Sequence, residues 1–405
     1  MNDLRSLPAA EIAAAVGAGR LDAVEVVRAH LEAMEEHAGL DAVITTCADH
    51  ALRRASAGVA GPLAGVPLLV KDLFDTAGVR TTYGSSIYRD HVPDRTAAAV
   101  ALLEDAGAIT IAKTNLHEFA WGVTSQNPHF GCVVNPVRPG RVAGGSSGGN
   151  AAALAAGFGA LALGTDTGGS VRIPAACCDN VGFKPTLGRL PIEGCFALSP
   201  SFDTVGPMGR TVADCALAFQ VLAGVPVPAP ELDGLVVGVL AESPHLERLE
   251  ALGARLVEAS LPEPATDLIA IFMVECAISH RSTYPARRDE YGRDLQLKFD
   301  TARLVPGIDV FEAREELPRW RERLIGEPAV DLLVSPTLGM EVPPLDCFEP
   351  DVRGALTAHT RPFNYTGWPA IAIGGLQIAG RDDATVLAAA LAYEQAYGPQ
   401  ASPRP

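Results

Sequence analysis

Two serine-bearing glycine loops and one distant lysine hold the chemistry available to this chain. Residues 144–149 read GGSSGG and residues 164–175 read GTDTGGSVRIPA, so Ser146 and Ser147 sit in one loop and Ser170 in the other. Attack on an amide carbonyl needs an activated hydroxyl and backbone N–H groups aimed at the developing oxyanion. Glycine lets the main chain approach a reacting carbonyl closely. In Thr167-Gly168-Gly169-Ser170, successive N–H groups can form such a hole beside the Ser170 hydroxyl. A serine also needs a base. No Gly-x-Ser-x-Gly elbow surrounds Ser170, and no histidine stands near it in sequence. A lysine kept neutral by burial is the known alternative, and Lys71 closes the apolar run Val66 to Val70.

Other uses of these residues are weaker. A phosphate-cradling reading of 144–149 fails because no Gly-Lys-Ser/Thr follows, and the glycines around Phe158 are misplaced for a dinucleotide loop. His117 and Glu118 suggest acid–base work, but a helix start capped by Asn115 and Glu118 explains them better. His280 and His359 lack carboxylate neighbours and read as ordinary surface or core histidines. The eight cysteines include no C-x-x-C, and no histidine lies at zinc-ligand spacing. They read as buried, reduced thiols, the adjacent Cys177 and Cys178 included.

Elements that could position these groups follow from periodicity. Leu21, Val24, Val27, Leu31 and Met34 recur at helical spacing, with Asp22 as a start and Gly39 as a stop. Residues 65–71 read as a buried strand ending at Lys71. A helix over 96–107 and a strand over 108–112 follow, and 114–118 opens a further helix. The apolar run Ala151 to Gly164 reads as a buried core helix, since it is too short to cross a bilayer. Residues 223–234 form a Pro-rich surface break, Val236 to Leu240 a strand, 267–325 a helical region, and Val330 to Ser335 a strand closed by Pro336. The alternation predicts an α/β fold with a central sheet. No internal repeat is visible.

The ordered motifs resemble the amidase signature family. Besides the two serine loops, GFKP (182–185), LAGVPLLVKDLFDTAG (63–78) and TNLHEFAWG (114–122) are similar to that family's blocks. So are SFDTVGPMGRTVADCA (201–216), LDGLVVGVL (232–240), VDLLVSPT (330–337) and RPFNYTGWPAIAI (361–373), which extend the likeness over nearly the whole chain. The resemblance implies a single α/β/α domain with a large mixed sheet covered by helices. Residues 1–60 would be an N-terminal helical segment packed on a unit spanning 61–400. It implies Ser170 as nucleophile, Ser146 as a bridging serine after a cis Gly–Ser peptide, and Lys71 as base. Thr167, Gly168 and Gly169 would form the oxyanion loop, and Ser147, Asp166 and Arg172 would brace the site. Neutral Lys71 would take a proton from Ser146, which takes one from Ser170. Ser146 would return a proton to the leaving amine, and water would then hydrolyse the acyl-enzyme. Two departures stand out. Asn150 replaces a serine common in the family, and the stretch between Leu240 and Leu252 is shorter than in many members.

Composition narrows the partners. Of 405 residues, 48% are apolar and 20% charged, as in a globular protein with a sizeable core. The net charge of −16 opposes a phosphate backbone, so direct nucleic-acid binding is not expected. The basic stretch Arg319 to Arg323 reads as a solvated helix face. The N-terminal residues lack a basic region followed by an apolar core. The expectations are therefore a cytoplasmic amide hydrolase with a small-molecule amide substrate, no cofactor, no metal and no membrane partner, with homodimerisation open. A glutaminase subunit of a tRNA-dependent amidotransferase, a hydrolase of urea derivatives and a non-catalytic binding protein are the competing readings.

Overall fold

Apolar strands buried on both faces form the frame that carries the two serine loops. The computed structural model describes residues 3–398, so the outermost residues of the two expected segments, 1–2 and 399–400, lie outside the description. Among the described residues thirteen strands follow in order: β1 (Val43–Thr46), β2 (Pro67–Lys71), β3 (Ile109–Thr114), β4 (Gln126–Asn127), β5 (Gly131–Cys132), β6 (Leu161–Asp166) and β7 (Val181–Lys184). Then come β8 (Thr204–Gly209), β9 (Val236–Val239), β10 (Arg255–Glu258), β11 (Leu332–Pro336), β12 (Ala370–Ile373) and β13 (Leu376–Gly380). All but β4 and β5, which pair with each other, lie in one 11-stranded sheet of order β1-β3-β2-β6-β8-β7-β12-β13-β11-β9-β10. Parallel pairs such as β2 with β6 mix with antiparallel ones such as β6 with β8, so the large mixed sheet is present as expected.

Every residue of β2 is buried, because helices cover the sheet on both sides. Leu68 and Val70 join one core, with Val100, Leu103 and Phe219. Leu69 joins the opposite core, with Ala151, Ala152 and Leu154 of the helix Gly148–Ala155. Side chains alternate along a strand, so Lys71 falls on the side of Leu69, toward the first serine loop.

Several expected elements hold with shifted ends. The first long helix spans Ala23–Glu36, and Asp22 caps it by accepting from Val24 N at 2.8 Å. It ends at His37, before Gly39. Its buried face is Ala23, Val26, Val27, His30, Ala33 and Met34, a partial rotation from the predicted stripe. The helix over 96–107 forms as Ala98–Asp105. The 267–325 region contains Ile269–Ser279, Arg293–Ala302 and Gly307–Arg323. Arg319 and Arg323 on the last are exposed, but Trp320 between them is buried and Arg321 donates to Tyr365 O at 2.8 Å.

Three expectations are corrected. The run Ala151 to Gly164 is not one helix: the helix stops at Ala155, Gly157 takes a positive φ, and Leu161–Asp166 forms β6. Residues 43–46, inside the segment expected to be helical, form β1 and pair with β3. Residues 114–118 do not open a capped α-helix. A short 3-10 turn covers Glu118–Ala120, and Phe119 and Ala120 adopt positive φ. Asn115 Nδ2 instead donates to the carbonyls of Asp41, Phe130 and Gly131. Among the described residues no helix is long and apolar enough to cross a membrane, and all eight cysteines are free.

Candidate active site

Parallel pairing of the central strands β2 and β6 brings Lys71 and Thr165 together at their carboxyl ends. Lys71 Nζ donates to Ser146 Oγ and to Thr165 Oγ1, each at 2.8 Å. The lysine is fully buried. Loss of water disfavours the ammonium form and pulls its pKa down to about 7, against the weaker upward pull of Cys195, Asp166 and Asp203. Asp72, the carboxylate next in sequence, turns elsewhere. Its Oδ2 accepts from Thr82 N and Oγ1, and Lys113 Nζ stands 3.3 Å from its Oδ1.

The Gly145–Ser146 peptide is cis, as the resemblance implies. Gly145 lies so close to the 122–124 backbone that a Cβ would meet Thr124 N and Val123 C at 2.8 Å. Ser146 O accepts from His117 N at 3.1 Å and Ser125 Oγ at 3.2 Å, which fixes the loop from its outer side. Ser147 N donates to Ser170 O at 3.2 Å, so the two serine loops are joined through their main chains.

Ser170 follows β6 by four residues, with the helix Arg172–Cys177 beginning just beyond it. It is 6% exposed and lines a cavity. Its hydroxyl has no hydrogen-bond partner among the described residues, so the Lys71–Ser146 half of the expected relay is closed and the Ser146–Ser170 half is open. Catalytic hydrogen bonds are often long without substrate and tighten when it binds. Gly169 at φ 122° is required: a Cβ there would stand 2.3 Å from Thr360 Oγ1. Thr360 Oγ1 in turn donates to Gly168 O at 2.8 Å.

The residues expected to form an oxyanion loop differ in how their N–H groups are engaged. Gly169 N donates to Asp166 Oδ1 at 2.9 Å, so that N–H is already engaged. The N–H groups of Thr167, Gly168 and Ser170 have no acceptor among the described residues. Thr167 is also held through its side chain, which donates to Asp203 Oδ1 at 2.7 Å.

Asp166 and Arg172 anchor this turn from beneath. Arg172 Nε and Nη2 donate to the two Asp166 oxygens, both at 2.9 Å, and both side chains are wholly buried. Burial alone would raise the Asp166 carboxyl, but the Arg172 guanidinium and the Asn364 amide reverse this and hold it well below the usual range. Arg172 also donates to Thr360 O, Gln377 Oε1 and Asn364 Oδ1. Thr165, Asn364 and Gln377 were missed as site residues. Thr165 and Asn364 lie inside motifs that carried the resemblance, whereas nothing in the sequence points to Gln377. Asn150 takes a supporting place, its amide donating to Leu163 O at 3.0 Å beneath the loop.

His117 and Glu118 are framework residues, although neither caps an α-helix. Glu118 accepts from Ser85 Oγ and Gly292 N and meets His129 Nε2. His117 Nε2 lies 2.8 Å from Asp294 Oδ2. His280 is buried among aromatic rings and His359 is half-buried.

The cavity in front of Ser170 has a volume of about 360 Å³. Thr167 and Gly168 share its floor with Ser170, while Trp121, Leu198, Phe272 and Tyr365 supply apolar walls. Among the described residues Arg353 and Arg361 are the charged side chains that line it, and no carboxylate does. Among the described residues no cluster of three or more histidine, cysteine or acidic side chains is placed to hold a metal ion.

Comparison with known proteins finds amidases and amidotransferase subunits similar to this chain. The family model described as Amidase matches residues 25–233. A glutamyl-tRNA(Gln) amidotransferase subunit from Natronomonas pharaonis is 36% identical over 79% of this chain and 92% of its own. A crystal structure of an amidase superposes with a TM-score of 0.89 and 32% identity, covering 96% of this chain and 100% of that one. The native peptide amidase of Stenotrophomonas maltophilia gives a TM-score of 0.80 at 26% identity, covering 99% and 98%.

Proposed function

Because the chain belongs to the amidase signature family of hydrolases acting on carbon–nitrogen amide bonds, we propose that it cleaves a small or medium amide through an acyl-Ser170 intermediate. The carrying observation is a buried lysine, its pKa drawn down to about 7, donating at 2.8 Å to a serine whose loop is bonded to that of a cavity-facing serine. Neutral Lys71 accepts the Ser146 proton as Ser146 accepts that of Ser170, and Ser170 Oγ attacks the carbonyl carbon. Free N–H groups of Thr167, Gly168 and Ser170 receive the oxyanion. Ser146 then delivers a proton to the departing amine, and water repeats the relay to release the acid.

A second reading follows from the relatives that are glutamyl-tRNA(Gln) amidotransferase subunits: a glutaminase that hands ammonia to a partner. The cavity favours the first reading. Free glutamine carries an α-ammonium group that needs an acceptor, and the lining among the described residues offers two arginines and no carboxylate. Apolar walls suit a substrate with a hydrocarbon body.

A panel of amides, glutamine, esters and ureido compounds, assayed for ammonia or amine release by the isolated chain, tests the reading. A fluorophosphonate should label Ser170, and Ser170→Ala should lose label and turnover together. Label on Ser146 or Ser147 would overturn the assignment. Glutamine as the sole substrate, with a co-purifying partner, would favour the second reading.

A further inference from the structure

Residues in the wall of the cavity in front of Ser170 hold hydrogen-bond donors that lack acceptors among the described residues. Trp121 is 2% exposed, and its indole Nε1, which can only donate, is buried without a partner. Arg353 Nε is buried without a partner, and so is the Tyr365 hydroxyl. All three residues belong to the cavity wall, with these atoms themselves shielded from solvent. A buried donor left unsatisfied costs about 1–3 kcal/mol, so such a set in one cavity favours a ligand rich in acceptors.

Charge points the same way. Arg353 pairs with Glu349 at 3.2 Å, but Glu349 also takes Lys298 at 2.9 Å and the N–H of Val123. Lys298 is shared in turn with Asp294, so these two cations and two carboxylates balance. Arg361 is the surplus. Its one side-chain partner among the described residues is the Thr357 hydroxyl, and it forms no ion pair. Glu263 and Asp267 line the neighbouring groove that Arg361 also borders, and neither pairs with it. Arg361 adjoins the reacting loop directly, because the preceding residue, Thr360, holds Gly168 O.

We infer that this cavity selects amides whose apolar body carries a carboxylate, with Arg361 as the residue that receives it. The inference rests on the hydrolase reading above and narrows its substrate class. A guanidinium meets a carboxylate through charge-assisted, often paired hydrogen bonds. In a recessed, largely apolar cavity such bonds are screened less than at an open surface. Trp121 and Phe272, set edge to face with centroids 6.0 Å apart, would flank the hydrocarbon body.

Binding to Ser170→Ala separates this inference from the hydrolase reading, because it needs no turnover. The probes are phenylacetamide bearing a para-carboxylate and its neutral para-methyl counterpart, titrated by calorimetry. The anion should bind at least about tenfold more tightly. In Ser170→Ala with Arg361→Gln the ratio should fall to near one, and with Arg361→Lys most of it should remain. Equal affinities, a preference that survives Arg361→Gln, or no binding of either probe at about 10 mM would each overturn the inference. If Arg361→Gln does not fold, the ratio in Ser170→Ala and its retention in Arg361→Lys decide. Turnover of neutral amides by the native chain, together with Ser170 labelling, tests the hydrolase reading separately.

Discussion

Lys71 Nζ lies 2.8 Å from Ser146 Oγ in a wholly buried setting, so the base of the proposed relay already rests against its first proton donor. Burial draws the lysine pKa down to about 7. Only the neutral amine can accept a proton, so activity belongs to the range above that value. The apparent kcat/KM for an amide should rise about tenfold per pH unit below pH 7 and level off above it. A pH–rate series on a neutral amide checks this. A limb centred near pH 10, or a flat profile, would show that Lys71 is not the titrating base.

Replacing Lys71 by arginine keeps a long cationic chain but removes the ability to lose a proton. Both Lys71→Arg and Lys71→Ala should lower amide turnover by about 100- to 10,000-fold. Groups that act as one relay lose function non-additively. The double variant Lys71→Ala with Ser146→Ala should therefore be little worse than Lys71→Ala alone. Circular dichroism guards against misfolding. A folded Lys71→Arg enzyme at near-native turnover would end the proposal.

How far this site was legible depended on the range of the contacts. Lys71 could be placed from Val66 to Val70, because a short apolar run closed by a cation has few other homes than a buried strand end. The serine loops announced themselves through glycine spacing. The Ala151 to Gly164 run misled because alanine favours helix while periodicity alone cannot separate a fully buried helix from a buried strand. Asn115 and Glu118 had capping-box spacing, but the positive φ of Phe119 and Ala120 bends the chain away from a helix. Gln377 meets Arg172 across 205 residues, a contact to which no local pattern points. The engaged Gly169 N–H also escaped notice, since the partner depends on how Asp166 turns in three dimensions.

Asp166 and Arg172 make a paired, fully buried contact, so removing one charge strands the other. Asp166→Asn should cost about 3–5 kcal/mol, and Arg172→Met a similar amount. The urea midpoint is the measurement, and an unchanged midpoint in both variants would refute the bracing role. The acid dependence follows from the depressed Asp166 pKa. An unfolded aspartate titrates at about 3.9, so the folded chain binds fewer protons there than the unfolded one. The contribution is complete above about pH 4 and is lost as pH falls toward the lower folded value. In Asp166→Asn that part of the acid sensitivity should disappear.

Gly169 offers the sharpest test of the reacting loop, because its requirement is steric and local. At φ 122° an L side chain is strained, and a Cβ would meet Thr360 Oγ1 at 2.3 Å, Thr360 Cβ at 2.7 Å and Ile173 Cδ1 at 2.8 Å. Thr360 has little freedom to yield, since its hydroxyl holds Gly168 O and its carbonyl receives Arg172. Gly169→Ala must therefore shift the turn that carries Ser170 and the free N–H groups on either side. A displacement of about 1 Å at a reacting centre can cost about 100-fold, so a loss of at least that size in kcat/KM is expected, with fluorophosphonate labelling of Ser170 slowed in parallel. Gly168 provides the comparison: its φ is not in the left-handed region, and a Cβ there meets nothing within 4 Å. Gly168→Ala should be the milder change by at least about tenfold. The acid limb assigned to Lys71 should stay in place in Gly169→Ala, since neither contact of its ammonium nitrogen involves that residue. Equal activity in the two alanine variants, or a displaced acid limb in Gly169→Ala, would show that the loop is not positioned as described.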